Sequence, residues 1–173
     1  MSGILLRTVY VVLGQLGWWG LVGYVHEPEA QWAVSVGIVL GAAVHVCMHP
    51  TWLLELVRIT SLALCGWMFE SVWVRLGLVL YPQNPGVVAP AWMAVLWLLF
   101  ALQTQVLMKA LNAHLIILVV LGVIGGPLAY RAGEALGAIR VVHNMDWLVL
   151  ALAWAIAVPT ILRYSSLFDK ELS

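Results

Sequence analysis

Charge is what this sequence has least of. Only 9% of its residues are Asp, Glu, Lys or Arg, against roughly 25% in soluble domains. Eight basic and eight acidic residues cancel, so no basic surplus exists to hold a nucleic acid. Cysteine is scarce as well. Cys47 and Cys65 both lie inside apolar runs, which argues against a disulfide framework and predicts two buried, inert thiols. There is no glycine-rich phosphate loop, no nucleophile elbow and no paired-cysteine zinc spacing. The common signatures of nucleotide, acyl-transfer and zinc chemistry are therefore missing. Nothing in the residues calls for a cofactor.

What the sequence does have is apolar length. Hydrophobic residues make up 64% of it, and mean hydropathy is +1.00. Such a chain is expected to be an integral membrane protein, and residues 1–173 read as a single transmembrane domain. The start, Met1 to Arg7, has no basic region ahead of its apolar run and no clear small-residue cleavage site. The first segment is accordingly expected to be a retained span and not a signal peptide.

Charges and turn residues mark out the spans. Thr8 to Val25 is uncharged, and so is the stretch between Glu29 and Glu55. A third segment runs from about Trp52 to Tyr81, and Tyr81-Pro82-Gln83-Asn84-Pro85-Gly86 turns the chain into a fourth that reaches Met108. Ala110 to Tyr130 and Trp147 to Leu162 supply the last two. Since a helical span needs about 20 apolar residues, the expected fold is all-α, a polytopic transmembrane helical bundle of six spans. With both termini cytoplasmic, Arg7, Arg58, Lys109, Arg163 and Lys170 lie inside and Arg75, Arg131 and Arg140 outside. That is the ordinary basic bias of a multi-pass membrane protein. Trp32, Trp92 and Trp147 each begin a span on the outer side, as an interfacial aromatic belt would require. The spacing from Gly66 to Gly77 recurs from Gly126 to Gly137, each second glycine following a leucine. This is either the relic of a duplicated hairpin, which would make three hairpins, or chance in a chain rich in both residues.

Glu70 is the residue with most to say. It stands in the apolar run Leu62 to Trp73, where a carboxylate in hydrocarbon costs roughly 2.5–3.5 kcal/mol on insertion scales. It is expected to point into the bundle. Arg75 is a poor partner, since five residues turn it about 140° away. Ser71, Tyr130, Arg131 and Glu134 fall at the same predicted depth, and Tyr130 or Arg131 on span five is the natural partner. Function and a structural hydrogen bond weigh evenly here. In the functional case Glu70 and Tyr130 are the catalytic candidates, with Glu70 as general acid or base. Arg131 would hold an anionic head group, and Ser71, Arg75, Gln15 and Gln103 would complete the substrate contacts. The amides also suit interhelical hydrogen bonds.

Two further patterns recur every four residues. Ala129, Gly133 and Gly137 form a small-residue face for close helix packing, beside Pro127, which removes a backbone donor. His45 and His49 could share a metal. Without a third ligand, no metal site is expected and interfacial hydrogen bonding is the better reading.

Taken together, Gly125-Gly126-Pro127-Leu128-Ala129-Tyr130, Gly133 and Leu136-Gly137, with Gln15-Leu16-Gly17-Trp18, Glu70 and Ala89-Pro90-Ala91-Trp92, resemble a bacterial inner-membrane family of unknown function, domain-of-unknown-function family 2878. The resemblance runs over nearly the whole chain. Members more often carry aspartate where this chain has Glu70, and their genes stand beside those of fatty-acid-modifying enzymes. The resemblance therefore implies a connection to lipid and supplies no catalytic residue. The function expected first is binding or processing of a lipophilic, lipid- or fatty-acid-derived substrate near the outer leaflet. A small proton-coupled carrier is the alternative, and a structural or assembly subunit is the third. The partners expected are membrane lipid and a second copy or a membrane complex, with no nucleic acid.

Overall fold

The computed structural model describes residues 3–110 and 114–170. The side chains of Arg7, Lys109 and Lys170 lie outside the described residues. The described chain forms α1 (Gly3–Gly23), α2 (Pro28–Met48), α3 (Trp52–Arg75), α4 (Ala91–Ala110), α5 (Leu115–Ala135) and α6 (Asp146–Lys170). Two short strands, β1 (Val79–Leu80) and β2 (Arg140–Val141), follow α3 and α5. The fold is all-helical apart from that ladder.

α2, α3, α5 and residues Asp146–Leu167 of α6 are long and apolar enough to cross a membrane. α1 and α4 offer shorter apolar stretches, Thr8–Gly23 and Ala91–Thr104. Large side chains such as Leu40, Ile116 and Ile156 are exposed on the outside of the bundle. A soluble protein would bury such a surface, whereas lipid solvates it. The chain is a helical membrane protein.

α4 is the hub. It packs on α1, α2, α3 and α6, while α5 packs chiefly on α6. Gly122 and Gly126, one turn apart on α5, let α6 approach closely. A methyl group on Gly122 would strike the backbone of Trp154 in α6, and one on Gly126 would strike the Trp154 ring. This corrects the packing face expected at Ala129, Gly133 and Gly137. Ala129 is exposed. Gly133 is buried against Ile139, in the segment that follows its own helix. Gly137 lies beyond α5, with φ of 72°. The sequence holds a second small-residue pair, Gly122 and Gly126, and that pair meets the neighbouring helix.

α3 and α5 end alike. Leu76 and Leu136 close the helices, and Gly77 and Gly137 take φ of 70° and 72°. The amides of Leu78 and Ala138 then reach back to the carbonyls of Trp73 and Gly133, at 3.0 and 2.9 Å. This is a left-handed glycine cap, which only glycine adopts without strain. The strands that follow pair antiparallel, Val79 with Val141 and Leu80 with Arg140. The offset in number from Leu80 to Arg140 is the one that carries Gly66 to Gly126 and Gly77 to Gly137. The two helix–cap–strand units are thus related by a local twofold through the Leu80–Arg140 pair. The same relation continues inward: Gly66 of α3 seats Trp97, Gly126 of α5 seats Trp154, and the two indoles stack at 5.6 Å and 8°.

The span limits differ from expectation in places. α3 stops at Arg75 and not near Tyr81, because the glycine cap intervenes. The helical part of span five is Leu115 to Ala135, shifted toward the C-terminus from Ala110–Tyr130. Cys47 and Cys65 are exposed on the helix surface and not buried. Trp32 is exposed, but Trp92 is buried edge-on against Tyr81 and Trp147 is covered by Arg131. Of the three tryptophans expected in an outer belt, Trp32 alone has a free ring.

Candidate functional site

Along α4 runs a partly open cleft of about 360 Å³, inside the ligand-pocket range of about 300–1,000 Å³. α4 forms its floor from Trp92 to Leu107, about 22 Å at a rise of 1.5 Å per residue. Val11, Gly14, Gln15 and Trp18 of α1 form one wall, and Leu121, Gly125, Gly126, Ala129 and Tyr130 of α5 the other. Trp154 and Val158 of α6 close it from below α5. Glycines let α1 lie close against α4 beside the cleft. A methyl on Gly14 would collide with the Gln103 amide, and one on Gly17 would crowd Leu99.

At the end nearest the strands sits Glu70, 3% exposed. Tyr130 of α5 donates to its Oε2 at 2.7 Å, and Tyr81, just past β1, donates to the same oxygen at 3.3 Å. The Trp97 indole approaches the same carboxylate. All three groups around it are neutral donors. Tyr130 and Tyr81 are brought here by the two equivalent helix ends, so the twofold unit and the site are one construction. Nearby, the indole nitrogens of Trp73, Trp92 and Trp154 are buried without a hydrogen-bond partner among the described residues.

The other expected site residues divide. Gln15 and Gln103 line the cleft, midway along it, and Gln103 donates to Leu99 O at 3.3 Å. Ser71 does not face the cleft. Its hydroxyl donates to Trp67 O at 2.8 Å and accepts from the amide of Ala89 at 3.1 Å, pinning the 81–90 loop to α3. Arg131 is not there either. It lies exposed over the Trp147 ring at 4.1 Å and pairs with Glu134 at 3.3 Å. Neither arginine stands in the cleft with Glu70: Arg75 is exposed at the end of α3, and Arg131 is exposed on the outer face of α5, one turn before its end.

A second polar cluster occupies the other half of the bundle. Arg58 and Glu55 are both fully enclosed, 0% and 1% exposed. Arg58 Nε donates to Glu55 Oε2 at 2.8 Å, and its Nη1 reaches Ala101 O, Thr104 and Ser165 at 3.0, 2.6 and 3.1 Å. His45 Nε2 donates to Glu55 Oε1 at 2.8 Å and shares a second bond, 2.8 Å, with Tyr10. His45 is thereby engaged on both nitrogens, and His49 bonds Thr51 at 3.2 Å. The network ties α1, α2, α3, α4 and α6 together. The sequence reading used Glu55 and Arg58 only as boundary charges. Their spacing of three, which places both on one helix face, is the signal that could have shown them as a pair.

Comparison with known families settles the membership. The model for the family described as "Protein of unknown function (DUF2878)" matches residues 7–160. The chain belongs to that family. No curated protein and no solved structure matches it. The family carries no assigned activity, so any function must come from the cleft itself.

Proposed function

We propose that this protein binds a lipophilic molecule in the cleft between α1 and α5, with the ligand's polar end at Glu70 and Tyr130. One observation carries the reading: an elongated, aromatic-lined cleft ends on a carboxylate that the protein has drawn out of solvent. A wholly structural carboxylate gains nothing from adjoining an open apolar cleft. A ligand with a long apolar body and one polar end uses both features. The protein is a six-span protein of a bacterial inner membrane with both termini cytoplasmic, and this places Glu70 toward the outer leaflet. The even number of helices and the basic bias support that topology.

The test is mass spectrometry of the protein extracted with its lipids. Gly125 lines the cleft, and a methyl group there would meet only Leu121, at 3.9 Å, so Gly125→Leu fills the cleft without striking backbone. Wild type is expected to retain a lipophile and Gly125→Leu to lose it. Equal retention by a folded Gly125→Leu protein overturns the reading. Reporter fusions at the two ends test the topology, and a periplasmic signal from either contradicts it.

The second reading, a proton-coupled carrier, draws support from the Tyr10–His45–Glu55–Arg58 network in the opposite half. Ionisable groups inside membrane spans commonly mark ion or proton routes. Flux of protons into liposomes that stops in His45→Gln would favour it.

A further inference from the structure

α3 buries two carboxylates, and the protein treats them in opposite ways. Glu55 is countercharged from within. Arg58 holds both of its oxygens, and His45 bonds one of them. Glu70 is equally enclosed, yet its neighbours are the neutral groups of Tyr81, Tyr130 and Trp97. Its own residue is the sole charged one among the described residues that line the cleft. The cations of this half are committed elsewhere or exposed: Arg131 lies on Trp147 and Glu134, while Arg75 and Arg140 are exposed. An enclosed ionised carboxylate without an opposite charge is costly by several kcal/mol. Left alone, such a group keeps its proton; it ionises when a cation comes to it, and the source left for that cation is the occupant of the cleft.

From this we infer that the ligand is a lipophilic cation: an alkyl or aryl chain ending in a protonated amine or an ammonium group that sits against Glu70. The inference rests on the cleft being a lipophile site and adds the charge of the head group. The walls agree with it. Trp92, Trp97, Trp154 and Tyr130 surround that end of the cleft, and aromatic faces attract ammonium groups within about 6 Å. An anionic head group, by contrast, would find no cation among the described residues that line the cleft. The arginine expected to bind an anion is outside the cleft.

The experiment uses the full chain in nanodiscs of neutral phosphatidylcholine, titrated at pH 7 with dodecylamine, dodecanol or dodecanoic acid. Tryptophan emission is read against empty discs. Dodecylamine is expected to bind about tenfold or more tightly than the other two, the scale of a desolvated charge pair, and Glu70→Gln is expected to remove the preference. The wild-type comparison stands without the variant, should Glu70→Gln fail to fold. If dodecanol or dodecanoic acid binds as tightly as dodecylamine and Gly125→Leu abolishes that binding, the cleft is a lipophile site and the cationic assignment is overturned. If all three chains bind Gly125→Leu as they bind wild type, or none binds wild type, the lipophile site itself falls and this inference with it.

Discussion

Tyr130 stands in α5 where Glu70 stands in α3, 60 positions earlier, and the two side chains meet in a hydrogen bond of 2.7 Å. Equivalent positions of a twofold pair converge near its axis, so a residue there faces its own counterpart. Here the two counterparts have diverged into an acceptor and a donor. The same two units are joined by the stacked indoles of Trp97 and Trp154 and by the Leu80–Arg140 strand pair. The site is thus fixed by the symmetric core of the bundle and not by a mobile loop.

Tyr130→Phe is expected to destabilise the protein by about 1–3 kcal/mol, the cost of leaving a buried polar group short of a partner. Tyr81 remains as a donor but at the longer distance of 3.3 Å. Thermal unfolding in detergent measures the effect. A Tyr130→Phe protein as stable as wild type would mean that the phenol is dispensable to the folded state and that its bond to Glu70 adds no stability.

Much of this site was legible in the sequence, for a physical reason. A carboxylate in an apolar helix must face inward, and the matching depth expected for Tyr130 brings it alongside. The recurrent glycine spacing also corresponds to a real structural repeat, since both second glycines cap their helices at positive φ. Other features depend on tertiary contacts that spacing cannot supply. Arg131 shares the depth of Glu70 but turns outward onto Trp147, a residue brought near by the chain reversal through β2. Ser71 adjoins Glu70 in sequence yet is taken up by the amide of Ala89. Glu55 and Arg58 count in the sequence only as charges that bound and orient the spans, and the positions of Thr104 and Ser165 reveal their enclosure.

Adjacent glycines on α5 are expected to respond differently to the same change. Gly126→Ala puts a methyl group into the Trp154 ring, which is itself stacked on Trp97 and has little room to yield. Overpacking of this kind costs about 1–3 kcal/mol. Gly125→Ala meets nothing closer than Leu121 at 3.9 Å and is expected to be neutral or slightly stabilising, as alanine favours helix. Unfolding midpoints of the two variants, compared side by side, decide the matter. Equal losses would place both glycines on the same packed face.

Arg58→Met is expected to be the most damaging of these substitutions, at about 3–5 kcal/mol, because it leaves Glu55 enclosed with His45 as its one remaining partner. Removing both charges should hurt less than removing one. The double change Glu55→Leu with Arg58→Met is therefore expected to recover part of the loss. Unfolding midpoints of the three proteins form the test. A double variant that is simply the sum of the singles would show that the two residues act independently.

The paired caps supply a final, internally controlled test. Gly77→Ala and Gly137→Ala both force a side chain into left-handed backbone, at φ of 70° and 72°, which costs roughly 1–2 kcal/mol. Around Gly77 nothing lies within 4 Å of the new methyl group, so backbone strain is its whole penalty. At Gly137 the methyl would also sit 2.8 Å from His26 Nε2, which bonds the carbonyl of Leu136 at 3.3 Å. His26 must then move and that bond is lost. Gly137→Ala is accordingly expected to cost more than Gly77→Ala, and adding His26→Ala should bring the two caps closer together. Thermal unfolding of the two single variants and of Gly137→Ala with His26→Ala measures this. If Gly77→Ala proves the costlier of the two, the difference between the caps does not arise from His26, and strain at the helix ends is set by something other than the contacts of the glycine.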